Sequence, residues 1–163
     1  MKTILILRHA KSSWKHSELS DHDRPLNKRG EREAPRVGQL LRDEGLLPEV
    51  ILSSTARRAR DTAQIAAEKC GYEREIRFIP DLYMGDVEDI LGFLQNLEDS
   101  CSTALLVGHN PDLEMLLNLL TNEDETLPTA ALAQVELPIQ SWKELDPERR
   151  GKLVNLWKPR EPD

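Results

Sequence analysis

Cysteine is scarce in this chain, and a long apolar run is missing altogether. Only Cys70 and Cys101 occur among 163 residues, and with no export signal ahead of them they are expected as reduced thiols. No stretch reaches the roughly 18 apolar residues that a membrane span needs, so no membrane partner is expected. The apolar run in residues 1–7 is too short for a signal peptide and leads into Arg8 and His9 rather than a small-residue cleavage site. It reads as a first strand, and the expected address is the cytoplasm. Excess positive charge is absent too: a net charge of −7 argues against broad nucleic-acid binding, which displaces counterions with a basic surface. Histidine numbers four, with no His-x-His or Asp-x-His spacing, so neither a metal site nor a cofactor is expected. No repeat, linker or low-complexity segment interrupts the chain, and at this length one domain over 1–163 is the default.

What is present alternates. Residues 3–8 are aliphatic and β-branched and predict a buried strand. A long polar loop over about 9–26 precedes a helix that starts after Asn27, contains Pro35 and stops at Gly45. Val50-Ile51-Leu52 predicts a second strand, and residues 56–69 a helix with a small-residue face ended by Gly71. A third strand over 76–79, a helix over 87–97 and a fourth strand over 103–107 follow. Asn110 and Pro111 read as the N-cap and first residue of a leucine-rich helix. Residues 131–137 and 152–157 predict two further strands, antiparallel or at an edge. Strands alternating with helices imply an α/β fold, a mostly parallel sheet with helices on both faces.

Such sheets bind ligands beyond the carboxyl ends of their strands, and three unusual groups fall there. Arg8 and His9 close the first strand, Arg58 opens the helix after the second, and His109 follows the fourth. Arginine at a helix N-terminus opposes the macrodipole, so Arg57, Arg58 and Arg60 together call for an anion. Guanidinium forks match phosphate oxygens. A neutral imidazole can accept a phosphoryl group and divide one displacement into two easier ones. Adjacent arginines are expected to keep His9 unprotonated, while His109 holds or protonates an oxygen in the transition state. Lys11, Ser12 and Asn110 are further candidates for phosphate contact, and Trp14, Lys15, His16, His22 and Asp23 for the rim.

Leu7-Arg8-His9-Ala10, the run from Ser53 to Ala63 and Val107-Gly108-His109-Asn110 resemble, in order and spacing, the histidine phosphatase superfamily of phosphoglycerate mutase-like three-layer fold. They are most similar to its small branch, the phosphohistidine phosphatases of the SixA type. Asp23-Arg24-Pro25-Leu26-Asn27, Leu82-Tyr83 and Pro128-Thr129-Ala130-Ala131-Leu132 look like further segments of that branch. The resemblance implies that His9 is the phosphorylated nucleophile and that Arg8, Arg58 and His109 form the phosphate pocket. Arg58 matches rather than Arg57, because the family's arginine directly precedes an alanine.

Two positions depart from the pattern. Ala10 stands where the family usually has glycine, so the backbone there either keeps φ negative or is strained. The glutamate that serves as general acid in other branches has no clear counterpart, and Asp81 aligns best by its distance from Met84-Gly85-Asp86. A weak or missing acid suits phosphohistidine, since imidazole, with a pKa of about 6.5, leaves more easily than an alkoxide. The implied partner is a phosphorylated protein, such as a histidine-phosphotransfer domain, or else a small phosphorylated substrate. A mutase is disfavoured by the lack of a long helical insertion after the third strand. A non-catalytic phosphoprotein-binding module is disfavoured because all four core residues are present.

Overall fold

A computed structural model describes residues 1–159 of the chain. Strand β1 (Lys2–Arg8) is followed by a long loop holding a 3-10 turn at Asp21–Asp23, then α1 (Lys28–Asp43), β2 (Val50–Ser54), α2 (Arg57–Cys70) and β3 (Arg77–Ile79). The short α3 (Asp81–Met84), α4 (Val87–Gln95), β4 (Thr103–Gly108), α5 (Asp112–Thr121), β5 (Leu132–Leu137) and β6 (Lys152–Trp157) complete the order. One six-stranded sheet results, in the order β3-β2-β4-β1-β5-β6. Strands β3, β2, β4 and β1 pair in parallel, while β5 and β6 join antiparallel. The expected mostly parallel sheet with antiparallel late strands is therefore what forms.

Alternation along β1 splits the interior into two layers. Ile4 and Ile6 face a core built with α4 and α5, including Ile90, Leu94, Leu113 and Leu117. Leu5 and Leu7 face the other layer, with Val37 and Leu41 of α1 and Ala59 and Ala63 of α2. All four β1 side chains are fully buried, which is why this strand reads as an unbroken apolar run. Alanines on α2 keep that helix close to the sheet, and Gly71, at φ 88°, ends it in the left-handed region as expected. Helix α1 is capped by Asn27, whose side chain accepts from the Gly30 N–H, and runs on through Pro35. No helix among the described residues is long and apolar enough to cross a membrane. Cys70 and Cys101 are buried free thiols.

Register brings the expected groups to one edge. Arg8 lies opposite Gly108, and Ser53 opposite Val107, so the carboxyl ends of β1, β2 and β4 stand side by side. The loop after β1 is tied down at both ends. Asn27 N–H donates to the Lys11 carbonyl and Ser13 N–H to the Pro25 carbonyl. A Cβ at Gly30 would lie 2.2 Å from the Lys11 carbonyl oxygen, so glycine is required where α1 meets this loop.

Candidate active site

His9 follows the last residue of β1 and is fixed through its own backbone: its N–H donates to the Gly108 carbonyl and its carbonyl accepts from Ala130 N–H. The next residue, Ala10, is fully buried and is not among the positive-φ positions. The methyl group therefore fits without strain, which resolves the departure at that position. Ala10 N–H donates to Thr62 Oγ1, and the Thr62 hydroxyl donates to the Arg58 carbonyl. The Thr62 hydroxyl thus links the His9 turn directly to the first turn of α2.

His9 is 7% exposed, with Nδ1 2.8 Å from the Ala10 carbonyl oxygen. A carbonyl only accepts, so Nδ1 carries the proton and Nε2 keeps its lone pair. Burial, together with the charges of His109, Arg58 and Arg8, holds His9 down at about 3. Burial outweighs the arginines, whereas the sequence pointed to the arginines alone. His109 lies with its ring centroid 5.1 Å from that of His9, and its Nε2 is 2.8 Å from Ser54 Oγ. Burial and then the Arg58 charge bring it down to about 4.

Arg58 is 6% exposed and turns into the site, while Arg57 pairs outward with Asp61 at 3.6 Å and Arg60 is exposed. Its two terminal nitrogens donate to the Asp21 carbonyl at 2.8 Å and to Asp21 Oδ2 at 3.1 Å. Arg8 donates to the Leu127 carbonyl at 3.1 Å. Arg24, in the loop, donates to Asp21 Oδ1 at 3.0 Å and to Ser12 Oγ at 2.9 Å, and its guanidinium lies 3.5 Å from the centroid of the Trp14 ring. Tyr83 donates its hydroxyl to Asp21 Oδ2 at 2.7 Å. The Tyr83 bond, with the charge of Arg58 and the bonds from both arginines, holds Asp21 at about 2.

These groups line a cavity of about 430 Å³ that includes Arg8, His9, Lys11, Ser12, Arg58, His109 and Asn110. Asp81 is not among its walls: it is exposed at the start of α3. The carboxylate that faces the cavity is Asp21 instead, and Arg24, Tyr83, Trp14, Met84 and Thr129 join it there. Of the rim candidates, Trp14 lines the cavity; Lys15, His16, His22 and Asp23 do not. Asn110 is placed as expected but does not cap α5. Its amide donates to Glu114 Oε2 and the Leu127 carbonyl, and Pro111 occupies the cap position with no side-chain cap bond. Asp21 has no periodic signal to betray it, but it stands three residues before Arg24, beside the segment Asp23-Arg24-Pro25-Leu26-Asn27.

Three cationic guanidinium groups and two neutral imidazoles around one small cavity suit a tetrahedral dianion. The signature of the histidine phosphatase superfamily (branch 1) matches residues 4–91. The chain belongs to that superfamily. A chloroplastic protein of Arabidopsis thaliana, uncharacterised, is 37% identical over 152 residues, 88% of this chain and 70% of that one. Among solved structures, a protein of Agrobacterium tumefaciens assigned to the SixA phosphohistidine phosphatases has a TM-score of 0.83 at 30% identity, covering 97% of this chain and 98% of that one. A SixA-assigned protein of Nakamurella multipartitia has a TM-score of 0.83 at 27% identity, over 98% and 97% of the two chains. Within the histidine phosphatase superfamily the chain is thus of the SixA type.

The two depressed imidazoles of this histidine phosphatase give it a pH signature. Below the ordinary histidine pKa of about 6.5 the unfolded chain takes up protons at both positions. The folded chain does so only near about 4 at His109 and about 3 at His9. The unfolded state binds more protons in that window, so stability falls as pH drops from about 6.5 toward 4. The urea midpoint is expected to be lower at about pH 4.5 than at about pH 7, and His9→Ala to narrow the difference. Equal midpoints for the wild type would contradict buried, neutral imidazoles.

Proposed function

We propose that this protein is a phosphohydrolase that takes a phosphoryl group onto His9 Nε2 and releases it to water, with phosphohistidine on a protein as its substrate. The carrying observation is the His9 ring, whose Nδ1–H is committed to the Ala10 carbonyl while the ring stays neutral beside Arg8, Arg58 and His109. Nucleophilic attack by Nε2 needs no base, because that nitrogen has no proton to lose. Arg8 and Arg58 then face the phosphoryl oxygens, and His109 steadies the charge that moves onto them. Lys11, Ser12 and Asn110 complete the wall around the phosphate.

The choice of phosphohistidine rests on the missing proton donor. Among the described residues, Asp21 is the one carboxylate that lines the cavity, and at about 2 it is ionised at any physiological pH. It cannot protonate an alkoxide as that group departs, whereas imidazole leaves without such help. Likeness to the SixA-assigned structures supports the same substrate class, and the work is expected in the cytoplasm. No step calls on a metal ion.

The test is a substrate panel of a phosphohistidine protein, an aryl phosphate and a sugar phosphate, each with and without EDTA. Phosphohistidine is expected to exceed the sugar phosphate by about 10³-fold in kcat/KM, within the range that proton transfer to a leaving group contributes. EDTA is expected to change nothing. Sugar phosphate turned over as fast as phosphohistidine would sink the substrate assignment and favour a broad phosphomonoesterase.

A further inference from the structure

Transfer between two imidazoles is symmetric in its proton requirements. His9 attacks as a neutral ring with its proton on Nδ1, held by the Ala10 carbonyl. Once Nε2 has bonded phosphorus, His9 is a phosphorylated imidazolium that still carries that proton. Read in reverse, the substrate ring must be protonated on its distal nitrogen if it is to leave as neutral imidazole. Without that proton it would leave as an imidazolate anion, a far stronger base and a poor leaving group.

The cavity is hostile to such a cationic ring in every respect but one. Among the described residues, Arg8, Lys11, Arg24 and Arg58 line it as cations, against the single carboxylate of Asp21. The Asp21 side chain is 49% exposed, so it is reachable from the open side of the site. Its Oδ2 accepts from Arg58 and Tyr83, while Oδ1 accepts, among the described residues, from Arg24 alone. A carboxylate offers about four acceptor sites, and Oδ1 retains one.

We propose that Asp21 accepts, through Oδ1, a hydrogen bond from the distal ring N–H of the phosphohistidine substrate, and so holds the leaving group in its protonated form. In the step, the His9 Nε2 lone pair forms the new N–P bond while the substrate N–P bond breaks, and its electron pair stays on the departing ring nitrogen. The distal proton stays where it was, so the product is neutral imidazole and no proton changes hands. Asp21 acts as a charge partner for the leaving group, the counterpart of Ala10 for the nucleophile. Water then attacks the phosphoryl group on His9, that N–P bond breaks back to neutral His9, and the water proton leaves with phosphate or to solvent.

This inference rests on the phosphohistidine reading above, and the test separates the two. The kcat/KM of wild type and Asp21→Asn is measured on a phosphohistidine protein and on p-nitrophenyl phosphate, whose leaving group has no ring N–H. Because Asp21 also braces Arg24 and Arg58, both substrates are expected to lose rate. The loss on phosphohistidine is expected to exceed the aryl loss by about 30-fold or more, in line with the weight of a charge-assisted hydrogen bond to a reacting group. The groups that face Asp21 are Arg24 from its own loop, Arg58 from α2, Tyr83 from α3, whose hydroxyl is pushed up by its bond to Asp21, and His109 after β4, held down at about 4. The alkaline fall of the phosphohistidine rate, where the substrate loses its ring proton, is therefore expected to move to lower pH in Asp21→Asn.

A measurement on the wild type alone keeps the test open if the variant does not fold. Phosphoimidazole is expected to turn over about 10-fold faster than its N-methyl phosphoimidazolium analogue, which carries the same positive ring but no N–H. Equal losses on the two substrates, or equal turnover of the two imidazoles, would overturn the role of Asp21 and leave the phosphohistidine reading standing. No wild-type turnover of phosphohistidine would overturn both.

Discussion

Replacing His9 with alanine is expected to abolish turnover of phosphohistidine, by on the order of 10⁴- to 10⁶-fold in kcat, the scale seen when a covalent nucleophile is removed. His9 Nε2 is the one protein atom that bonds to phosphorus in the proposed route, so its removal leaves the enzyme without an acceptor. His109 is 5.1 Å away between ring centroids, but its Nε2 is engaged with Ser54 Oγ. Binding of inorganic phosphate is expected to weaken much less, because Arg8, Arg58 and His109 remain. The check is kcat beside phosphate inhibition for wild type and His9→Ala. A loss of under about 10-fold in kcat would remove the nucleophile from the mechanism.

Arg58→Ala carries the second large effect, expected at about 10³-fold in kcat/KM, the cost of removing a fixed donor from developing charge. Two changes add. The phosphoryl group loses a buried guanidinium, and Asp21 loses the two bonds that tie it to α2, which leaves a carboxylate facing an anion site with less compensation. Arg58→Lys is expected to restore charge but not the fork, and to recover only part of the loss. Arg57→Ala is the control, since that side chain is half-exposed and pairs with Asp61 on the surface, and its effect is expected within about threefold. Losses of similar size for Arg57 and Arg58 would show that bulk positive charge, not the placed fork, drives binding.

The sheet and the four central residues were legible in the sequence for a physical reason. A strand buried on both faces must be aliphatic throughout, and β1 and β4 announce themselves that way; whatever stands at their carboxyl ends is then placed by topology. Arg8, His9 and His109 follow from that placement, and Arg58 from the turn after β2. Asp21 was not legible. It lies in the polar stretch between His9 and Asn27, where no periodicity fixes direction, and its position depends on bonds from Arg24 in the same loop and from two distant segments, through Arg58 and Tyr83. Asp81 matched in distance along the chain, but distance along the chain does not say where a side chain turns, and α3 presents Tyr83 rather than Asp81 to the cavity. Ser54 was similarly obscure. As the last residue of β2 it is fully buried, and only the folded sheet brings its hydroxyl to His109. Asn110 shows the reverse case: it stands in the cavity wall, but the turn pattern that suggests a helix cap misleads, because the amide is spent on Glu114 and the Leu127 carbonyl.

The central claim is a covalent phosphoryl group on His9, and the most direct measurement is to look for it. Enzyme mixed with a phosphohistidine protein, quenched in base within milliseconds and digested, is expected to yield one acid-labile, base-stable phosphopeptide containing residues 8–11, with the mass of a phosphoryl group on His9. A phosphoryl group found on His109 or on a carboxylate, or full turnover with no labelled peptide at any quench time, would contradict the account.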